Sequence, residues 1–195
     1  MATFKINGKN FATQDGTGEP TVSSNVGFPT GMVLQTISDN YNSQTETNSS
    51  TPVNVCTCTL TTRIASPKIA YWFTTILGGR GDGDNIYVKM TIESGTSAST
   101  PSSSNYLPTD NRGPGTGGQD YGLQINNDVM LQGGTANTYP IQHYGCNDVI
   151  VTSYAVGTTI TVGAFVYGGC YINRSEQRAN EESGITSLIV QELVP

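Results

Sequence analysis

The chain has 195 residues, a formal net charge of −6 and only 12% charged residues, a length that suits one domain, or one domain with an arm. Without a basic run it is ill-equipped to displace counterions from phosphates, which argues against a DNA-facing role. No apolar run is long enough to span a membrane, and MATFKINGKN is too polar for a secretory signal, so synthesis in the cytoplasm is expected.

Residues 1–30 read as an arm. Asn7-Gly8, between apolar residues, predicts a hairpin. Asp15-Gly16, Gly18, Pro20, Gly27 and Pro29 follow, and a lead-in of this composition takes its order from a neighbour. Its apolar anchors are Phe4, Ile6, Phe11 and Val22.

Residues 31–195 predict an all-β domain, a jelly-roll-like two-sheet antiparallel β-sandwich. The first strand is Met32 to Ile37. After a polar loop comes Val53 to Thr62, where Cys56, Cys58 and Leu60 share one face and Thr57, Thr59 and Thr61 the other. Ser66-Pro67 breaks the chain, because proline has no donor for a ladder. Lys68 to Leu77 is apolar on both faces, with Ile69, Tyr71 and Phe73 on one and Ala70, Trp72 and Ile76 on the other. Such a strand is central, or it is covered by a second layer or a partner. Asn85 to Glu93 alternates, with Ile86, Val88, Met90 and Ile92 inward. Tyr121 to Leu131, Asp148 to Val156, Thr158 to Asn173 and Gly184 to Val194 complete a set of about eight. Tyr154 to Thr161 predicts a hairpin turning at Gly157.

Two inserts stand out. Residues 94–120 form a long loop rich in Ser, Pro and Gly, and such loops in compact domains are functional or disordered. Residues 173–183 mix Arg and Glu and read as a solvated turn or a salt-bridged subunit contact.

Catalytic chemistry is poorly supplied. His143 is the single histidine, and no G-x-S-x-G elbow occurs. Glu181 and Glu182 are adjacent and would point apart on a strand, which suits no carboxylate pair. The 78–85 loop holds Arg80-Gly81-Asp82, but Ile86 breaks a calcium-loop pattern. Cys56, Cys58, Cys146 and Cys170 read as buried thiols, with a disulfide or a metal site near His143 as alternatives. Asn173-Arg174-Ser175 matches a glycosylation pattern that has no bearing without secretion. We therefore expect no catalytic residue, no cofactor and no metal. Tyr41, Tyr106, Tyr121, Tyr139 and Tyr144 suit either sugar stacking or a protein interface.

The order GFPTGMVLQ, a Ser/Thr-rich gap, a threonine-alternating strand, SPKI and an aromatic-apolar strand resembles a domain of tailed-bacteriophage virion proteins, those of marine and cyanobacterial phages especially. The end, FVYGGCYINRSEQ followed by GITSLIVQELVP, is similar too. The resemblance runs from about Phe28 to Pro195; the 94–120 insert and the four cysteines depart from it. It implies an all-β domain on a phage particle, often a homotrimer, assembled in the host cytoplasm. Within that family, size, acidity, the arm and the lack of a fibrous shaft favour a head decoration (cement) protein contacting the major capsid protein. The alternative is a receptor-binding tail fibre or spike tip, with Tyr106, Arg112 and Tyr121 in the 94–120 loop facing a host glycan or receptor. No nucleic acid or membrane partner is expected. The expected self-contact uses Phe4, Ile6 and Phe11 of the arm with Trp72, Leu188 and Val190, because KIAYWFTTIL and GITSLIVQELVP carry apolar residues on both faces.

Overall fold

The computed structural model describes residues 2–6, 9–14, 16, 21–22, 29–47, 51–79, 86–101, 123–125, 141–168, 170–173 and 184–195. The described residues hold strands and no helix. The strands are β1 (Ala2–Ile6), β2 (Lys9–Gln14), β3 (Thr21–Val22), β4 (Val33–Tyr41), β5 (Thr45–Thr47), β6 (Val53–Thr61) and β7 (Lys68–Gly79). They continue with β8 (Ile86–Ser94), β9 (Leu123–Ile125), β10 (Ile141–Val151), β11 (Thr159–Tyr167), β12 (Cys170–Ile172) and β13 (Thr186–Leu193).

Every pairing is antiparallel. In the first large sheet β7 is central. β10 lines one edge of it over Lys68 to Gly78. β13, followed by β4, lines the other edge over Lys68 to Thr74. β12 and β5 continue that side at the far end of β7. The second sheet has the order β6-β11-β8-β9. The chain alternates between sheets: β4 in the first, β6 in the second, β7 back, β8 and β9 across, β10 back, β11 across, β13 back. The nested orders β4-β13-β7-β10 and β6-β11-β8-β9 are those of a jelly roll. The arm is a separate sheet, β1-β2-β3, in which Ile6 pairs with Lys9; Asn7 and Gly8, where the sequence predicts the turn, lie outside the described residues.

The core lies between the two sheets. Tyr71, Phe73 and Leu77 of β7 and Leu188 and Val190 of β13 meet Cys56, Cys58 and Leu60 of β6, Val162 and Val166 of β11, and Met90 of β8. Each fully buried side chain of this size stabilises the fold by roughly 1.5–3 kcal/mol. The two cysteines of β6 pack as the alternation requires. Their thiols also reach the other sheet: Cys58 Sγ lies 3.6 Å from the Leu188 carbonyl oxygen, and Cys56 Sγ 3.7 Å from that of Thr186. Opposite Ala164 and Phe165, β6 presents Cys56 and then Asn54, so Val55 is an extra residue. This bulge lets the neighbours Val55 and Cys56 both be buried.

Several sequence expectations need correction. β10 begins seven residues earlier than Asp148, at Ile141, despite the strand-poor Gly145, Asn147 and Asp148. The run from Thr158 to Asn173 is two strands, divided at Gly168, whose φ of 105° bends the chain. The turn at Gly157 is real, with φ 80°, but it is not a hairpin. β10 pairs with β7 and β11 with β6 and β8, so the turn carries the chain from one sheet to the other.

Candidate interaction surface

A strand apolar on both faces must be covered twice, and the outer face of β7 is only partly covered: Ala70 is buried, while Trp72 is open. Its odd-numbered residues from Ile69 to Leu77 face the core. Its even-numbered residues face outward, and among them Trp72 is 41% exposed. The registers place the neighbours of Trp72. Asn147 lies opposite it on β10 and Ile189 on β13, with Ser38 of β4 beyond Ile189. The next row reads Val149, Ala70, Gln191 and Thr36, and the one after it Val151, Lys68, Leu193 and Val33. Ile189 is 40% exposed and Val149 50%. The result is a four-strand face with an indole, aliphatic side chains on both flanks and hydroxyl or amide groups between, with Ala70 fully buried among its neighbours. Lys68 is the one charged residue in these three rows. A partly apolar, exposed face on a sheet is a candidate interaction surface.

Of the residues expected at a self-contact, Trp72 is exposed on this outward face, whereas Leu188 and Val190 are fully buried in the chain's own core. The apolar residues of β13 are split by parity. Thr186, Leu188, Val190 and Glu192 point inward, while Ile189 points out beside Trp72, and Ile185, just before the strand, is exposed. The sequence offered two apolar sets and no sign of which faced the core. Thr186 and Glu192 belong to the inward set because their polar atoms are satisfied there. Thr186 Oγ1 donates to Asn173 Oδ1 at 2.8 Å and lies 2.8 Å from Thr75 Oγ1.

Of the arm residues, Phe4 is exposed on β1 and lies opposite Ala12. Ile6 and Phe11 lie on β1 and β2. Tyr106, Arg112 and Tyr121 fall outside the described residues, as do the 80–85 loop and residues 174–183. The described base of the 94–120 loop is a strap lying on the outer face of the second sheet. Gly95 N donates to Thr159 O at 2.9 Å, and Thr161 Oγ1 donates to Gly95 O at 2.7 Å. Ser99 donates to the Glu93 carboxylate through its backbone N and through Oγ, the latter at 2.7 Å. Ala98 then settles over Gly163.

The groups considered for chemistry are kept apart. On β10, His143 faces out and Cys146 faces in, since three residues along a strand reverse the face. Among the described residues no three His, Cys, Asp or Glu side chains are grouped to hold a metal. All four cysteines are free thiols, three of them buried and Cys146 half-buried. Burial pushes Cys56, Cys58 and Cys146 up to about 12, and Cys170 to about 11, which leaves them protonated and poorly nucleophilic. Among the described residues the buried Tyr71 hydroxyl has no hydrogen-bond partner, and burial first, then Cys146 and Asp148, push it above its ordinary value. Asn173 is no glycan acceptor. It is fully buried at φ 61°, and its Nδ2 donates to Tyr41 O at 2.7 Å.

No family model matches the chain, and no curated protein does. Among solved structures, a carbohydrate-binding module specific for non-crystalline cellulose (CBM28) aligns over 94% of this chain and 79% of its own, with 10% identity and a TM-score of 0.28.

Proposed function

We propose that this chain is a non-catalytic structural protein of a phage virion, a head decoration protein that self-associates as a homotrimer on the outer capsid surface. The observation that carries the reading is the outward face around Trp72, Ile189 and Val149. An exposed apolar sheet face is commonly covered by symmetric self-association in soluble proteins. The ordered likeness to phage virion proteins from Phe28 to Pro195 supplies the particle. Acidity supports an outward position, away from packaged DNA. The thiols add no reactivity that would suggest an enzyme.

The test is in two parts. Light scattering of the purified chain should give three times its 20.7 kDa mass. A monomer at micromolar concentration would sink self-association. Gold-labelled antibody on intact virions should then decorate heads. Label confined to tails would replace the decoration role by that of a receptor-binding tail protein.

A further inference from the structure

We infer that three copies of this chain stand edge to edge about a three-fold axis that runs along their strands. The outward faces of their first large sheets fill the space around that axis. Trp72 and Ile189 of each copy lie nearest it, and β10 of one copy lies beside β4 of the next. The inference rests on the self-association just proposed and names its geometry.

The width of the sheet carries the inference. Over Lys68 to Thr74 the sheet is four strands across, in the order β4-β13-β7-β10. At about 4.8 Å per strand that is about 19 Å. Three sides of this width enclose a triangle whose sides lie about 5.5 Å from its centre, by the same spacing. Two sheets packed with interleaved side chains lie about 10 Å apart, so each lies about 5 Å from the plane between them. A prism of three such faces is therefore filled by its own side chains. Trp72 and Ile189 are on the two inner strands, where each side comes nearest the axis. The smaller Ser38 and Asn147 of the same row lie at the corners, where the space narrows. Among the described residues neither β4 nor β10 carries a further strand. The corners cover both of these edges, whereas a two-fold pair of faces would leave them open.

Area and charge agree with this. Above the Trp72 row lies a fourth row, Asn40, Ser187, Thr74 and Gly145. Four rows on four strands present about 500 Å². The three faces together close about 1,500 Å², the size of a standard specific interface. Around a three-fold axis every residue meets two copies of itself, so a charge in the middle rows would be repelled by its own repeats. The four rows hold no carboxylate, and their one charge, Lys68, is in the end row. The polar groups beside the indole are already paired within the copy. Thr74 Oγ1 lies 2.8 Å from Ser187 Oγ, and Gln191 Nε2 donates to Thr36 Oγ1 at 3.2 Å. Covering them strips water from groups that keep a partner.

The experiment uses the full chain with two cysteines added. Ser38 and Asn147 are both exposed, at one level on opposite edges of the sheet. Three strand spacings hold them about 14 Å apart, too far to link within one chain. In the prism, position 147 of each copy meets position 38 of the next. The double variant Ser38→Cys, Asn147→Cys should therefore give, on mild oxidation, a disulfide-linked species of three chain masses on a denaturing gel. Each single variant should stay unlinked. Products that stop at two chain masses, run on beyond three, or do not form overturn the inference. A second readout needs no cross-link. Trp72 is the single tryptophan, so Ile189→Asp should shift its emission to longer wavelength and increase its quenching by acrylamide, with the circular dichroism spectrum unchanged. Light scattering should fall from three chain masses to one. A trimeric parent whose mass and emission survive Ile189→Asp leaves self-association standing and removes this axis. A monomeric parent chain removes both.

Discussion

Glu192 Oε1 accepts the backbone N–H of Arg63 at 2.7 Å, and this carboxylate is fully buried. The same oxygen accepts from Ile64 N at 3.2 Å, while Oε2 accepts from Gln35 Nε2 at 2.5 Å. One side chain of β13 thus ties down the loop between β6 and β7 and the side chain of a β4 residue. Among the described residues no cation pairs with it; backbone and amide donors satisfy it, as a buried carboxylate requires. We predict that Glu192→Ala lowers stability by about 2–4 kcal/mol, because buried donors lose a charged acceptor. Glu192→Gln should cost less, since one oxygen can still take the two backbone N–H groups. Urea melts of the three proteins check the order; equal midpoints for Ala and wild type would refute it.

Leu188 and Ile189 make a sharper pair. Leu188→Asp puts an unpaired charge into the core and should unfold the domain at ordinary temperature. Ile189→Asp, one residue on, points outward and should leave the circular dichroism spectrum unchanged while dissociating the oligomer. A folded Leu188→Asp protein would contradict the inward parity of β13.

These two residues also show where the sequence was legible and where it was not. The eight jelly-roll strands could be read in chain order, because alternation in VNVCTCTLTT and the Ser66-Pro67 break are local signals. The Cys56-Cys58-Leu60 face was legible for the same reason. Parity in β13 was not, because both sets are apolar and the deciding groups, Thr186 and Glu192, are polar residues satisfied only by partners distant in sequence. β5 and β12, three residues each, are too short for any periodicity. The exposed face could be suspected from Trp72, but its flanks on β10 required the register. Asn147 and Val149 reach Trp72 and Ala70 only by pairing across the sheet.

Gly163 gives a test of the strap. A Cβ built there would stand 2.6 Å from Ala98 Cβ and 2.9 Å from Thr91 Oγ1. Gly163→Val should therefore lift residues 95–101 from the sheet and cost about 1–3 kcal/mol, as overpacking does. Limited proteolysis should cut faster within that segment. Unchanged cleavage would mean that the sheet, not the strap, absorbs the added volume.

The thiols predict a pH dependence with a definite sign. Each is an acid whose folded-state value lies above its ordinary 9.0, at about 12 for Cys56, Cys58 and Cys146, and burial is the first cause. The folded state then holds these protons more tightly than the unfolded chain does. The stabilisation is fully present below pH 9 and is lost as pH rises from there towards 12. Denaturation midpoints should accordingly be insensitive to these groups at neutral pH and fall in the alkaline range. Cys→Ser at position 146 should remove part of that fall without touching the two β6 thiols packed against the opposite sheet. A thiol reagent at pH 8 separates the groups directly. Cys146, half-buried on β10, should react first and slowly, while Cys56, Cys58 and Cys170 should wait for unfolding. Rapid reaction of all four in the native protein would contradict both the burial and the predicted alkaline loss.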